Sequence, residues 1–194
     1  MVFKIAVLAS TRGTDLQAII DEKVAGKLEG VEISGVFSNV KDCGALEKAK
    51  VAGIRSVFVD SKDKTREEFD LNLIEAIGEV DLICLIGYMR ILTPEFIKKY
   101  AGKIINVHPA LLPKYGGKGF YGKNVHESVL KNSEKESGMT IHYVTEEVDA
   151  GEILIQEKVT IVDGETAESL KGKVQALEKK YYPEAIRMIY NQTR

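Results

Sequence analysis

The strongest constraint on the fold is a pair of short apolar runs, Phe3 to Ala9 and Asp81-Leu-Ile-Cys-Leu-Ile-Gly87. Neither alternates polar with apolar residues, so each reads as a strand covered on both faces, which belongs in a parallel sheet flanked by helices. The sequence between them supplies those helices. Apolar residues recur at helical spacing from Leu16 to Leu28, from Ala45 to Ala52 before Gly53, and from Thr65 to Ile77 before Gly78. Val31 to Phe37 and Ser56 to Val59 read as strands between them. Pro94 opens a short helix ending near Tyr100 and Gly102, and Lys103 leads into a further apolar strand stopped by Pro109. This alternation predicts right-handed crossovers and a doubly wound, mostly parallel, Rossmann-like α/β sheet with helices on both faces. Ligands of such sheets lie beyond the carboxyl ends of the strands, at a switch point.

After Pro113 the pattern changes. Lys114 to Gly122 holds four glycines and reads as a loop, Asn124 to Lys131 as a short helix, and Thr140 to Thr145 and Glu152 to Val159 as two half-exposed strands. A long helical pattern follows from Thr166, with Pro183 expected to kink or restart it. With no repeat or linker in view, the tail is expected to extend the same sheet in antiparallel fashion. The 194 residues then form one domain, long enough to bury roughly 70% of the unfolded surface. Residues 1–100 are expected to be its Rossmann-like, phosphate-binding half, and residues 101–194 its catalytic half.

Charge narrows the partners. Lys and Arg number 27 against 29 Asp and Glu, with no block of one sign, so nothing favours a nucleic acid and a small ligand is expected. Cys43 and Cys84 do not form a disulfide framework. No apolar run approaches the ~18 residues of a membrane span, and the amino terminus has no cleavable leader, so a cytoplasmic protein is expected.

The chemistry concentrates in Asn106-Val-His108-Pro. Two residues apart on an extended strand, Asn106 and His108 share one face, and an amide beside an imidazole at a buried strand end needs a reason. Asn106 can donate to a forming oxyanion, and His108 can carry a proton. A carboxylate from the later turn, Asp149, within ~4–6 Å would raise the His108 pKa toward or above neutrality. An ordinary turn role for Asp149 and a structural role for a lone histidine stand beside these readings, the latter more strongly for His126 and His142. Ser10-Thr-Arg-Gly-Thr-Asp15 leads from strand to helix and offers free amides to an anion, though Thr14 as a plain helix cap reads equally well. No Ser or Cys stands beside the pair as a nucleophile, and no cluster has metal-ligand spacing, so direct acyl transfer between two bound ligands is the expected class.

Asn106-Val-His108-Pro-Ala-Leu-Leu-Pro113, with Val148-Asp149-Ala-Gly151 about forty residues on, resembles the signature of the folate-dependent formyltransferases. The similarity runs nearly end to end, through Leu16-Gln-Ala-Ile19, Val36-Phe-Ser-Asn39, Gly87-Tyr-Met-Arg-Ile-Leu92 and Val174-Gln175 with Glu178. The resemblance implies that the amine of phosphoribosylglycinamide attacks the formyl carbon of 10-formyltetrahydrofolate, a cosubstrate, without a metal. It implies catalytic roles for Asn106, His108 and Asp149. It places the substrate phosphate and ribose against Thr11, Arg12, Gly13, Thr14, Asp15 and Glu178, and the folate against Arg66, Met89, Arg90, Ile91, Leu92, Asn106, Thr145 and Val148.

Two departures stand out. Gly13-Thr14-Asp15 replaces the family's usual Gly-Ser-Asn, and the Asp15 carboxylate is expected to repel a phosphate unless it points away or caps the helix. The glycine-rich Gly116 to Gly122 stretch is longer than the family's segment and is expected to be a mobile loop near the mouth of the site, with Lys118 and Lys123 either solvated, the preferred reading, or serving an anionic ligand. Another 10-formyltetrahydrofolate-using transferase or hydrolase, or a non-catalytic folate or nucleotide binder, are the alternatives. Monomer and homodimer both remain open.

Overall fold

The computed structural model describes residues 2–194. In chain order the elements are β1 (Phe3–Leu8), α1 (Thr14–Val24), β2 (Val31–Ser38), α2 (Gly44–Val51), β3 (Ser56–Phe58), α3 (Arg66–Ile77) and β4 (Leu82–Leu85). They continue through α4 (Pro94–Lys99), β5 (Ile104–His108), α5 (Lys123–Lys131), β6 (Glu136–Tyr143), β7 (Ile153–Thr160) and α6 (Ala167–Gln192). One sheet of seven strands has the order β3-β2-β1-β4-β5-β6-β7. β1 to β5 are parallel, and β6 and β7 add on antiparallel, as the alternating tail predicts. The chain winds outward from β1 in one direction and from β4 in the other, so the β1–β4 seam is the switch point.

β1 shows why its run is apolar at every position but the exposed Lys4. Phe3, Ile5, Val7 and Ala9 pack into the cluster that α1, α2, α5 and α6 cover, whereas Ala6 and Leu8 point into the cluster under α3 and α4. Helix starts follow local chemistry. Thr65 and Glu68 form a reciprocal capping box at α3, and Thr93 caps α4 ahead of Pro94. Tyr182 of α6 is fully buried, and its hydroxyl donates to the carbonyls of Leu85 (3.0 Å) and Ile105 (3.3 Å), fastening the last helix beneath the ends of β4 and β5.

Three expectations are corrected. α1 ends at Val24 rather than Leu28, because the chain turns through Gly26 at φ 74° while Leu28 still reaches the core. β6 starts at Glu136 rather than Thr140: the polar Glu136-Ser-Gly segment pairs with Lys158 to Thr160 of β7, and bare Gly138 lets that backbone approach. Of the two outcomes expected at Pro183, a kink or a restart, the restart does not occur: α6 is one continuous helix across it. Proline at that point forfeits the single amide that would bond the Lys179 carbonyl, and the burial of Tyr182, Pro183, Ala185 and Ile186 holds the helix across it.

Candidate functional site

A cavity of about 830 Å³ opens at the carboxyl ends of β1, β4 and β5. Both halves of the chain line it, from Thr11 after β1 to Glu178 on α6.

At its centre four side chains meet. Asn106 and His142 are direct partners in the β5–β6 register, so they share a face, and Asn106 Nδ2 lies 3.2 Å from His142 Nε2. His142 Nδ1 lies 2.9 Å from the Tyr143 carbonyl, and the Asn106 contact at Nε2 fixes the amide's orientation. Asp149, at φ 57°, turns its carboxylate between two imidazoles: Oδ2 is 3.4 Å from His108 Nδ1 and Oδ1 is 3.6 Å from His142 Nε2. The Gly117 amide also donates to Asp149 Oδ2 at 2.9 Å. His108 Nε2 faces the Tyr115 carbonyl at 2.6 Å. Behind His108, the Thr140 hydroxyl donates to the Ala110 carbonyl and accepts from the Leu112 amide, which pins the proline-rich segment to the neighbouring strand.

The electrostatics correct one expectation. Asp149 does act to raise the His108 pKa, and both ring nitrogens face acceptors that an imidazolium would satisfy. Burial opposes this and outweighs it, leaving the His108 pKa below 6.5 and the ring neutral at neutral pH. For Asp149 the balance runs the other way. Burial pushes its carboxyl up, but the His142 contact, the His108 charge and the Gly117 amide together bring it below 3.8.

The amino end of α1 forms another wall. Gly13 is the N-cap in left-handed conformation (φ 65°), no side chain caps the helix, and a Cβ on Gly13 would stand 2.8 Å from that of Ala45. The plain-cap reading of Thr14 is therefore overturned: Thr14 is the first helical residue and lines the cavity. Asp15 neither points away nor caps. It is buried beside the cavity, as is Glu178. Burial raises Asp15 to about 6, and burial together with the Asp15 charge raises Glu178 to about 8.

Met89, Ile91, Leu92, Ile97, Val144 and Val148 supply an apolar wall. Its shape is held from behind. The Ser10 hydroxyl donates to Asn39 Oδ1 (2.7 Å) and accepts from the Met89 amide (3.0 Å), Asp70 accepts from the Thr93 amide (2.7 Å), and the Arg90 guanidinium lies 4.3 Å over the Phe69 ring. Thr11, Arg12, Arg90 and Thr145 also line the cavity. Arg66 does not: it is exposed at the start of α3 beside Glu67. The glycine-rich loop lines the cavity from Gly117 to Gly122, where Lys118 and Lys123 join it, and Lys123 also pairs with Glu127 at 2.8 Å.

Sequence reasoning set His142 aside as structural. Its signal was a strand alternation that places it opposite Asn106, visible only once the register is known. Buried His126 lines the cavity as well, at a pKa lowered to about 4 by burial and by the Lys171 charge. Ser10, Tyr115 and Gly117 act through backbone or buttressing contacts that no residue pattern announces.

The sequence of this chain matches the formyl transferase family over residues 3–186. It is 40% identical over 182 residues to the phosphoribosylglycinamide formyltransferase of Escherichia coli (strain K12), covering 92% of this chain and 83% of that protein. It is also 40% identical over 190 residues, 96% of its length, to the trifunctional purine biosynthetic protein adenosine-3 of Bos taurus, of which it spans 18%. Among solved structures, phosphoribosylglycinamide formyltransferase from Bacillus halodurans aligns with a TM-score of 0.90 at 32% identity, covering 98% of this chain and 97% of that one.

Proposed function

The chain belongs to the formyl transferase family, and from that premise we propose how its cavity works. The reaction is transfer of the formyl group of 10-formyltetrahydrofolate to the amine of phosphoribosylglycinamide, giving the N-formyl product and tetrahydrofolate in purine biosynthesis. The proposal takes it to run in the cytoplasm, on small molecules, in a monomer or homodimer. Among the described residues no helix is long and apolar enough to cross a membrane.

In the proposed arrangement the folate lies along the apolar wall from Met89 to Leu92 and against Val144 to Val148, with its formyl group at Asn106 and His108. The phosphate is taken by the amides of Gly13, Thr14 and Asp15, with Thr11 and Arg12 beside it, and the ribose lies toward Glu178. The amine's lone pair attacks the formyl carbon, a C–N bond forms, and the carbonyl electrons move onto oxygen. The Asn106 amide, oriented by His142, donates to that oxyanion. The proton lost by the amine nitrogen passes through the neutral His108 and is delivered to folate N10 as the old C–N bond breaks, so atoms and charge balance. Asp149 stabilises the imidazolium while it exists. For Nε2 to reach the substrate it must exchange the Tyr115 carbonyl for a reacting atom, so the loop after Pro113 has to yield.

The observation carrying this reading is the convergence of Asn106, His108, His142 and Asp149 at one end of a cavity whose other end presents uncapped helix amides. It is tested spectroscopically by following tetrahydrofolate release from 10-formyltetrahydrofolate with and without phosphoribosylglycinamide. Release that requires the amine is expected. Release without it indicates a hydrolase, and folate binding without release a non-catalytic binder.

A further inference from the structure

We propose that Asp15 and Glu178 hold one proton between them at the phosphate end of the cavity, and that the phosphorylated amine binds with that proton in place. The inference rests on the functional reading above, because it takes the ligand's phosphate to approach the amino end of α1.

Two carboxyls line the same wall of the cavity from neighbouring helices. Asp15 lies in the first turn of α1 and Glu178 on α6, the two helices pack together, and both residues line the cavity although Asp15 is 4% and Glu178 8% exposed. Asp15 has one side-chain partner, the Thr14 hydroxyl at 3.4 Å. Among the described residues Glu178 has neither a hydrogen bond nor an ion pair, so a side chain more than nine-tenths buried reaches the cavity unpartnered. An acceptor presented to the cavity in that state is open to a ligand or a proton.

The surrounding groups do not neutralise two charges. From α6, Lys179 acts on both carboxyls, and Tyr182 lies near Asp15 with Cys84 of β4 behind it. Lys171 and Gln175 of α6 line the cavity with Arg12, and His126 of α5 lies by Lys171. α2 brings only the apolar Ala45 against Gly13. Two carboxylates beside a phosphate would therefore place three anionic groups around one helix end. A shared proton removes one charge and leaves the pair with one O–H donor and several acceptor lone pairs, a combination suited to ligand hydroxyls. Burial raises both carboxyls above their ordinary values, and at Glu178 the Asp15 charge adds to it.

The test is the pH dependence, from pH 6 to 9.5, of KM and of the calorimetric Kd for phosphoribosylglycinamide in the wild type, Asp15→Asn and Glu178→Gln. For the wild type the Kd should weaken by up to about tenfold per pH unit once the shared proton leaves. Asp15→Asn should show a flatter profile, because an amide donates at every pH. The ligand's own phosphate and amine titrate equally in both proteins, so the difference between curves isolates the pair. Calorimetry in buffers of different ionisation enthalpy should show proton uptake by the wild type at alkaline pH that both variants lose. Parallel profiles in enzymes that still turn over would overturn the shared proton alone. A wild type with no amine-dependent turnover would overturn the functional reading and this inference together. Glu178→Gln serves as the second variant if Asp15→Asn does not fold.

Discussion

The two ends of the cavity treat charge in opposite ways. At one end Asp149 lies between His108 and His142 and accepts from the Gly117 amide, so its negative charge is wanted. At the other, burial acts against the charge of both Asp15 and Glu178, the Asp15 charge adds to it at Glu178, and Lys179 is the shared cation, so a negative charge is resisted. Both regions are buried at the end of the same sheet. What separates them is the partners the fold supplies: β5 and β6 set amide and imidazoles against a carboxylate, whereas α1 and α6 set carboxyl against carboxyl. In the proposed function the first arrangement serves a proton that moves during reaction, and the second a proton that stays while a phosphate binds.

The largest expected effect lies at the histidine end. His108→Ala should lower kcat by about 10²–10⁴ while the folate Kd changes little, measured by steady-state turnover and equilibrium binding. Asn106→Ala should follow with a loss of about 10²–10³ in kcat, as for an oxyanion donor. A variant that raised KM alone would move Asn106 from the reacting atoms to substrate binding.

At the Asp15–Glu178 end, proposed to take the phosphate, the expected effects are on binding and stability. Gly13→Ala forces an unfavourable left-handed conformation and meets Ala45, so it should cost about 1–3 kcal/mol in denaturant unfolding and raise KM for the phosphorylated amine more than for the folate. The smallest effect contrasts the two regions through pH. Asp15 and Glu178 have folded pKa values above their unfolded ones, so their contribution to stability is full below the unfolded values near 4 and falls as pH rises toward about 6 and 8. Glu178→Gln should therefore raise Tm by a few degrees at pH 8–9, roughly what 1 kcal/mol gives in a chain of this size, and by less at pH 5. His108 and Asp149 have depressed folded values, so what they contribute is lost as pH falls, below 6.5 for the imidazole and further down for the carboxylate. Acid stability should thus respond to His108 and Asp149, and alkaline stability to Asp15 and Glu178.

The comparison also explains what the sequence could announce. Asn106 and His108 are two apart on one strand, and that local spacing alone puts them together. The doubly wound sheet was readable because β1 and β4 are apolar on both faces, and the tail because it alternates. His142 was not readable, because it meets Asn106 only through an antiparallel register across an intervening loop and helix. The net pKa of His108 was misjudged because pairing with Asp149 is local in kind whereas burial belongs to the whole fold. Arg66 was placed by motif, yet the capping box at Thr65 sets the start of α3 and leaves Arg66 outside the cavity lining. The Asp15–Glu178 seam joins residues at opposite ends of the chain, and only the packing of α1 on α6 brings them together.

The most direct test is Asp149→Asn, which removes the charge and keeps the shape, with kcat and the 10-formyltetrahydrofolate Kd measured on the same preparation. The account predicts a fall of about 100-fold or more in kcat, within the range of a lost acid–base function, with the Kd changed no more than a few-fold. Near-normal turnover with a greatly weakened Kd would contradict it, and would make Asp149 a folate-binding residue.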